Sequence, residues 1–392
     1  MRAAAITDLR HGVRAPEPAG HAGPDRPLLL AALALLGIGL VMVGSASVSV
    51  AEHATGEPLY YFWRQAAYAT AGLVLAAGVL RVPLAAWERA GPWLVLAAVV
   101  LLVLVLVPGL GQAVNGSRRW LGLGPVNLQA SELARLFSIV YLAGYLVRHG
   151  QAVRTEAAGF LRPMVLLLVL VFLLLLEPDY GAAAVLLATA AGMMWLGGAR
   201  LSQFLLLLAS LGLGLALLAW LEPYRLERLT AFLDPWSDPY GAGFQLTQAL
   251  IAFGRGEWFG VGLGASVQKL FYLPEAHTDF VFAVLAEELG LAGVLAVLGL
   301  YAFVLLRMVA LGRRAAESGR PFAAHLAWGL AMWLGLQAFI NMGVNMGVLP
   351  TKGLTLPLMS YGGSSLVVTC VALALVLRVG LECAAPRRRP GT

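Results

Sequence analysis

Residues 280–307 read FVFAVLAEELGLAGVLAVLGLYAFVLLR, and this stretch decides the fold class. Its charged side chains are only Glu287, Glu288 and Arg307. A helix of roughly 20 apolar residues crosses a bilayer core about 30 Å thick. The stretch is therefore predicted to be a transmembrane helix with two carboxylates in its first half.

Similar apolar blocks recur along the chain, separated by short polar or Gly/Pro-rich segments. Hydrophobic residues make up 60% of the 392 residues and charged residues 12%, whereas about 25% of a soluble domain is charged. A soluble core cannot absorb this excess, so the predicted fold class is all-α, a polytopic membrane protein with about ten transmembrane helices. Blocks five and six would break the parity of crossings if they formed one re-entrant unit. The predicted spans are 28–47, 60–80, 91–107, 129–147, 163–176, 180–198, 203–221, 280–307, 323–347 and 363–381.

Basic residues are concentrated in alternate connecting segments. With both termini placed in the cytoplasm, the inner segments hold 18 of the 27 Lys and Arg residues but only 7 of the 21 Asp and Glu residues. Short loops rich in Lys and Arg stay cytoplasmic, so ten spans with both ends inside fit this split. The net charge of +6 then reflects topology and anionic lipid headgroups, not nucleic acid. We expect a disordered cytoplasmic tail (1–26), one membrane domain (27–382) and a basic cytoplasmic tail (383–392).

The longest connecting segment, 222–279, is a large outer loop between helices 7 and 8 in this topology. Loops of this length are usually functional. Residues 244–253 have the pattern of a short amphipathic helix, and glycine-rich turns follow at 254–256 and 260–264. These glycines either allow the backbone to approach a phosphate or only punctuate a loop that folds back onto the bilayer. The sequence leaves both interpretations open.

Acidic residues cluster where this loop enters the eighth span. Asp279, Ala283 and Glu287 are four residues apart and share one helical face. A carboxylate inside a membrane helix costs about 2.5 kcal/mol or more, so it usually faces a partner. We interpret Glu287 and Glu288 as members of structural ion pairs. Asp279 is either the N-cap of the helix or a functional carboxylate.

Both lysines of the chain, Lys269 and Lys352, fall on the outer side. Lys352 stands between Pro350 and Pro357, where a helix cannot continue. Irregular backbone at this depth is tolerated only where it is buried in protein or lines a cavity. Together with the hydroxyl-rich residues 360–365, this segment is predicted to form one wall of a cavity.

Two arginines near the fourth span have different surroundings. Arg119 lies in the preceding outer loop without a local acid, and its guanidinium suits a phosphate. Arg135 follows Glu132 at the (i, i+3) spacing of a local ion pair.

An outward cavity with basic groups and carboxylates suits a lipid pyrophosphate, because tail and headgroup are then held together. In one route, a carboxylate acts as general base on an acceptor hydroxyl while Arg or Lys stabilises the departing pyrophosphate. In the other route, the cavity carries the headgroup across the membrane and no bond breaks. Composition does not separate these routes. No residue spacing demands a metal, and a divalent cation (Mg or Mn) near the pyrophosphate stays open.

Several long motifs resemble the SEDS family of shape, elongation, division and sporulation proteins. The longest is the segment 341–365, whose central residues 351–355 look like the division branch of the family. The likeness runs from about Leu28 to Arg378. The other matching segments are 119–120, 177–179, 232–236, 272–280 and 287–290.

The resemblance implies ten spans and polymerisation of lipid II, the undecaprenyl-pyrophosphate-linked disaccharide-peptide, by an inverting glycosyltransferase at the inner membrane. It implies that Asp279 is the catalytic acid/base and that a class B penicillin-binding protein, FtsI in the division pair, supplies crosslinking beside other divisome proteins. A lipid II flippase and a non-catalytic divisome scaffold are the alternatives. The expected substrate-binding residues are Arg119 and Lys352 for the pyrophosphate, with Glu275, His277, Gln268, Lys269, Ser360 and Ser364 around the pocket.

One departure from the family pattern falls at the fourth span. Members of the family usually have Gln-Pro-Ser-Glu followed by a helical Lys, whereas this chain has Ala130 and Arg135. The exchange keeps the charge but changes the donor geometry. Asp279 is unaffected by it.

Overall fold

The structure is a computed structural model. It describes residues 23–384, apart from 115–116, 125, 201, 204, 206–208, 210–231 and 242. Most of the expected tails 1–26 and 383–392 and most of the predicted seventh span, 203–221, lie outside the described residues. The described helices are α1 Arg26–Thr55, α2 Tyr60–Val79, α3 Leu84–Leu106, α4 Ala130–Thr155, α5 Ala157–Leu176, α6 Tyr180–Leu196, α7 Phe244–Gly256, α8 Val281–Glu317, α9 Pro321–Asn345 and α10 Gly363–Ala384.

The predicted fold class is confirmed. Nine of the ten predicted spans correspond to helices among the described residues, and 163–176 and 180–198 belong to two separate helices, α5 and α6. Seven described helices are long and apolar enough to cross a membrane: α1, α3, α4, α5, α8, α9 and α10. The bundle core forms where α3 packs on α4, α2 on α10 and α8 on α9. The predicted amphipathic helix 244–253 is α7, which packs on α8.

A small antiparallel sheet lies between α3 and α4 and was not predicted. Its strands are β1 Gly111–Val114, β2 Ser117–Leu123 and β3 Val126–Gln129, in the order β1-β2-β3. Trp120 faces Gln129 across the β2–β3 pair. Strands β1 and β3 have four residues each and Gly122 interrupts β2, so the segment does not show a clear two-residue alternation in sequence. The sheet places Arg119 on its middle strand.

Ion pairs tie the helices together at the end of the bundle that the charge distribution places inside. Asp25 caps α1 by accepting a hydrogen bond from the Leu28 N–H (3.0 Å), and it pairs with Arg307 of α8. Glu382 pairs with Arg378 (3.0 Å) and Arg320 (3.4 Å). Because an α-helix rises 1.5 Å per residue, Arg307 lies roughly 25 Å along α8 beyond Gly290, where the helix is interrupted. These pairs are therefore far from Asp279.

Helix α8 is broken at Gly290, whose φ of 65° and ψ of −166° are open only to glycine. A Cβ on Gly290 would lie 2.4 Å from the Gly260 nitrogen, so the approach of the two segments also requires glycine. The segment 257–262 supplies the backbone hydrogen bonds that the break removes. The pairs are Val261 N to Glu287 O (3.0 Å), Gly262 N to Glu288 O (3.1 Å), Leu291 N to Glu257 O (2.9 Å) and Ala292 N to Trp258 O (3.0 Å).

Candidate active site at the outer ends of the helices

Connecting segments that are distant in sequence meet at the end of the bundle where α8 begins. Each contact joins two segments that the predicted topology places outside. The contacts are Arg119 with the carbonyls of Glu177 (3.3 Å) and Pro178 (2.6 Å), Tyr361 N with His277 O (2.9 Å), Ser364 with Asn127 O (2.9 Å), and the Lys352 Nζ 5.9 Å from the centre of the Tyr180 ring. The sequence predictions for Arg119, Lys352 and Asp279 thus fall in one region.

Asp279 is fixed by its backbone, which leaves its carboxylate available. Its carbonyl accepts hydrogen bonds from the Asn341 (2.8 Å) and Asn345 (2.9 Å) side-chain amides. The N-cap of α8 is Phe280, and the Asn345 Oδ1 accepts the Ala283 N–H (3.0 Å) inside the first turn. Asp279 therefore does not cap this helix, and its carboxylate is not used in the first turn.

The surroundings of Asp279 raise the pKa of its carboxyl group. Burial, followed by the negative charges of Glu275 and Asp179, raises the pKa of Asp279 to about 7. Arg119 acts in the opposite direction. A base with a pKa near the working pH transfers protons most effectively. The side chain is only half-buried, so a substrate hydroxyl can reach it.

The turn between α5 and α6 carries two further carboxylates beside Arg119. Asp179 caps α6 by accepting the Ala182 N–H (3.1 Å). Glu177 is fully buried, and neither of its carboxylate oxygens has a hydrogen-bond partner among the described residues. Burial and then the charge of Asp179 raise the pKa of Glu177 to about 8, against the effect of Arg119. Glu177 is thus largely protonated at neutral pH.

Lys352 and Gly353 lie on the irregular segment between α9 and α10. Lys352 is exposed, and its ammonium lies over the ring of Tyr180 at the start of α6. A Cβ on Gly353 would lie 3.2 Å from the Asp279 carboxylate oxygen Oδ2, which is a close contact. The segment therefore brings a cation next to the region of Asp279 while its glycine leaves room for the carboxylate.

The four side chains interpreted as structural ion-pair members are all buried and paired. Glu287 also accepts the Ser266 hydroxyl (2.5 Å) and the Val267 N–H (3.1 Å), which anchors the loop before Asp279 to α8. The pairs are Glu132–Arg135 (2.5 Å), Glu287–Arg255 (2.9 Å) and Glu288–Lys269 (2.8 Å).

Several expected pocket residues support the loops instead of facing an opening. Lys269 is buried, and its ammonium also donates to the Ser45 hydroxyl (2.9 Å). Gln268 is buried beneath the same loop. Buried Ser360 and Ser364 accept the Leu356 N–H (2.8 Å) and the Gln129 N–H (3.0 Å), respectively. Glu275 is exposed and His277 is half-buried, so these two remain beside Asp279 at the surface.

Sequence reasoning missed the roles of Asn341, Asn345 and Glu177. The two asparagines lie four residues apart on α9, and amides on one face of an apolar span are a signal that points to backbone recognition. Glu177 was noted only as part of a family motif. Its burial depends on packing between segments that are distant in sequence, such as Arg119 of β2, which donates to the Glu177 and Pro178 carbonyls.

A metal site is not apparent in the part of the chain that the structure describes. No three His, Cys, Asp or Glu side chains there are grouped closely enough to hold an ion. The fold and site define a class: a polytopic helical membrane protein with a half-buried carboxylate of raised pKa and cationic side chains at one end of its bundle.

Comparison with known proteins narrows this class. The FtsW/RodA/SpoVE family model, described as "Cell cycle protein", matches residues 26–384, and the chain belongs to this family. It is 63% identical to the "Probable peptidoglycan glycosyltransferase FtsW" of Nitrosococcus halophilus, covering 93% of this chain and 94% of the relative. The division-branch resemblance agrees with this relative.

Two solved structures share the fold. One comes from work on the structural coordination of polymerization and crosslinking by a peptidoglycan synthase complex. It has a TM-score of 0.76 and 34% identity, covering 92% of this chain and 98% of that chain. The other is the Rod shape determining protein RodA of Thermus thermophilus, with a TM-score of 0.68 and 31% identity over 91% of this chain and 96% of that chain.

Proposed function

We propose that this chain is a peptidoglycan glycosyltransferase that polymerises lipid II into glycan strands at the outer face of the inner membrane during cell division. The observation that carries the proposal is Asp279, a half-buried carboxylate with a pKa near 7, held by its backbone where the outer segments converge. The names of the relatives give the same activity.

In the proposed reaction, the Asp279 carboxylate accepts the proton of the 4-hydroxyl of the acceptor sugar. The hydroxyl oxygen forms a bond to the anomeric carbon of the donor as the bond from that carbon to the lipid pyrophosphate breaks. The configuration at the carbon inverts, and the pyrophosphate leaves with the bonding electron pair. Asp279 then releases its proton to solvent.

Lys352 and Arg119 are the proposed groups that stabilise the departing pyrophosphate. Lys352 is exposed at the site and brings a positive charge to it. Arg119 is half-buried, and two of its nitrogens donate hydrogen bonds to the carbonyls of Glu177 and Pro178. We therefore assign the direct contact to Lys352 and a mainly electrostatic contribution to Arg119. Glu275 and His277 shape the edge of the pocket, and Gln268, Lys269, Ser360 and Ser364 hold its walls.

The proposed partner is a class B penicillin-binding protein that crosslinks the strands. The match to a chain from a synthase complex that coordinates polymerization and crosslinking supports this partner. We place the protein in the inner membrane at the division septum beside other divisome proteins. Its tails 1–26 and 383–392 are cytoplasmic, and its membrane domain spans 27–382.

Polymerisation and transport are distinguished by one pair of assays. The purified chain with its transpeptidase partner is given labelled lipid II in detergent, and the same preparation in liposomes is tested for movement of lipid II between leaflets. The proposal expects glycan strands longer than the disaccharide. Lipid II movement without any polymer would favour the flippase, and neither activity would favour the scaffold.

A further inference from the structure

Three aromatic rings from separate segments form a cluster beside the candidate active site. Tyr61 comes from α2, His277 from the loop before α8, and Tyr361 from the segment before α10. The ring centres of Tyr61 and His277 are 4.8 Å apart, those of Tyr61 and Tyr361 5.1 Å, and those of His277 and Tyr361 5.5 Å. All three side chains are half-buried, so each contributes surface that the protein does not cover.

The cluster has the shape of a corner. The planes of Tyr61 and Tyr361 are nearly perpendicular, at 79°, while His277 is tilted by 37° from Tyr61. A backbone hydrogen bond from Tyr361 N to His277 O (2.9 Å) fixes two of the rings relative to one another. The rings thus pack against one another, and a ligand contacts the ring surface that this packing leaves exposed.

The cluster is within reach of the same ligand as Asp279. His277 precedes Asp279 by two residues, which limits the separation of their Cα atoms to about 7 Å. A base must lie about 2.6–3.2 Å from the hydroxyl whose proton it takes. A sugar ring that presents this hydroxyl to Asp279, or the ring next to it, is therefore within reach of His277 and of the two rings packed on it.

The chemistry of the cluster favours a neutral, partly apolar ligand. Burial lowers the pKa of His277, so its imidazole is neutral at pH 7. Burial raises the pKa of Tyr361 to about 12, so its phenol keeps its proton. The nearby cation, Arg64, directs its donors to the hydroxyls of Tyr60 (2.9 Å) and Tyr68 (3.1 Å). A phosphate would find no positive charge on the three rings, whereas the C–H face of a pyranose meets the negative faces of aromatic rings favourably.

We infer that Tyr61, His277 and Tyr361 form a binding surface for a pyranose ring of the saccharide substrate, next to Asp279. This inference rests on the proposed function and deepens it, since it assigns Tyr61 and Tyr361 to sugar binding. The hydroxyls of the two tyrosines supply polar contacts to the ligand, whereas the His277 Nδ1 is buried and has no hydrogen-bond partner among the described residues.

The test uses the full chain with its transpeptidase partner and three variants. Tyr61→Leu removes the ring, Tyr61→Phe restores it, and Trp63→Leu is the matched control, because Trp63 lies on the same helix with its side chain exposed. Lipid II and preformed lipid-linked glycan strands are varied separately, so that the affected KM identifies the donor or the acceptor. Binding of the disaccharide-peptide freed from its lipid pyrophosphate is followed by saturation-transfer NMR.

We expect Tyr61→Leu to raise one KM about threefold to tenfold with a smaller change in kcat, from the loss of one ring contact. Saturation transfer to the sugar protons should weaken in Tyr61→Leu and return in Tyr61→Phe, while Trp63→Leu behaves as the parent chain. The inference is overturned if Tyr61→Leu leaves both KM values and the NMR signal unchanged, or if Tyr61→Phe is as impaired as Tyr61→Leu. Absence of polymer from the parent chain would instead reject the proposed function.

Discussion

The ionisation of Asp279 depends on its burial and on charged neighbours of both signs. Burial, Glu275 and Asp179 raise its pKa and Arg119 lowers it, with a net value of about 7. A base acts when it is deprotonated, so polymerisation should rise with pH along an acid limb near pH 7. In Glu275→Gln a negative charge is lost, the pKa of Asp279 falls, and the limb moves to lower pH. In Arg119→Gln a positive charge is lost, and the limb moves to higher pH.

The measurement is kcat/KM for lipid II between pH 5 and 9 in the parent chain and both variants. The position of the limb, not the maximal rate, is the quantity compared, because Arg119→Gln also weakens stabilisation of the pyrophosphate. Limbs that coincide in all three proteins would contradict this electrostatic account of Asp279.

Gly290 shows how one element depends on another. Its backbone conformation and the 2.4 Å separation between an added Cβ and the Gly260 nitrogen leave no room for a side chain. Gly290→Ala should therefore lower the unfolding free energy by more than about 2 kcal/mol and displace the loop that leads to Asp279. Gly299→Ala is the control in the same helix, because a Cβ there meets nothing within 4 Å. We expect Gly299→Ala to be neutral or stabilising in a thermal melt. Equal Tm losses in the two variants would argue against a special role for the contact between Gly290 and Gly260.

The buried pair of Lys269 and Glu288 fastens the same loop to α8. Replacing one partner leaves a buried charge alone, which typically costs about 3–5 kcal/mol. Lys269→Met and Glu288→Gln should each lower Tm strongly, and the double variant should recover most of the loss. A double-mutant cycle of thermal unfolding measures this coupling. Strictly additive losses would mean that the pair contributes nothing as a pair.

The helices could be predicted from sequence, but several features of the site could not. An apolar block of about 20 residues in a bilayer forms a helix, because its backbone groups must be hydrogen-bonded within the segment. Spans such as 280–307 were therefore located correctly. The β2 strand was missed because Gly122 interrupts it and its pairing with β3 is a contact between segments. The sequence also left open whether Asp279 caps α8. The Oδ1 of Asn345, a residue distant in sequence, accepts the Ala283 N–H in the first turn of α8, and Asp279 does not cap the helix.

The convergence of the outer segments is a property of the whole molecule. Charge counting placed Arg119, Lys352 and Asp279 on one side of the membrane. A pattern in the sequence does not predict which of these residues lie close together. Their grouping depends on how the helices pack, which brings the segments before α4, α6, α8 and α10 together. The aromatic cluster of Tyr61, His277 and Tyr361 depends on the same packing, since its three members are far apart in sequence.

The topology itself can be tested in cells. In a chain with Cys370→Ala and Cys383→Ser, a single cysteine is introduced at Ser237 or at Ser318, both of which are exposed. A membrane-impermeant maleimide added to cells with a permeabilised outer membrane should label Ser237→Cys. It should label Ser318→Cys only after the inner membrane is opened. The reverse pattern would place Asp279 on the cytoplasmic side and refute the outward site.

The central claim is that Asp279 takes the proton in glycan polymerisation, and Asp279→Asn tests it most directly. The substitution keeps the shape of the side chain but removes the base, and Asp234→Asn, an exposed position in the same loop, is the control. With the purified chain and its transpeptidase partner, we expect the polymerisation rate to fall by about 10²–10⁴-fold in Asp279→Asn, with an unchanged or higher Tm, and to stay at the parent level in Asp234→Asn. Polymerisation by a folded Asp279→Asn variant at the parent rate would contradict the account.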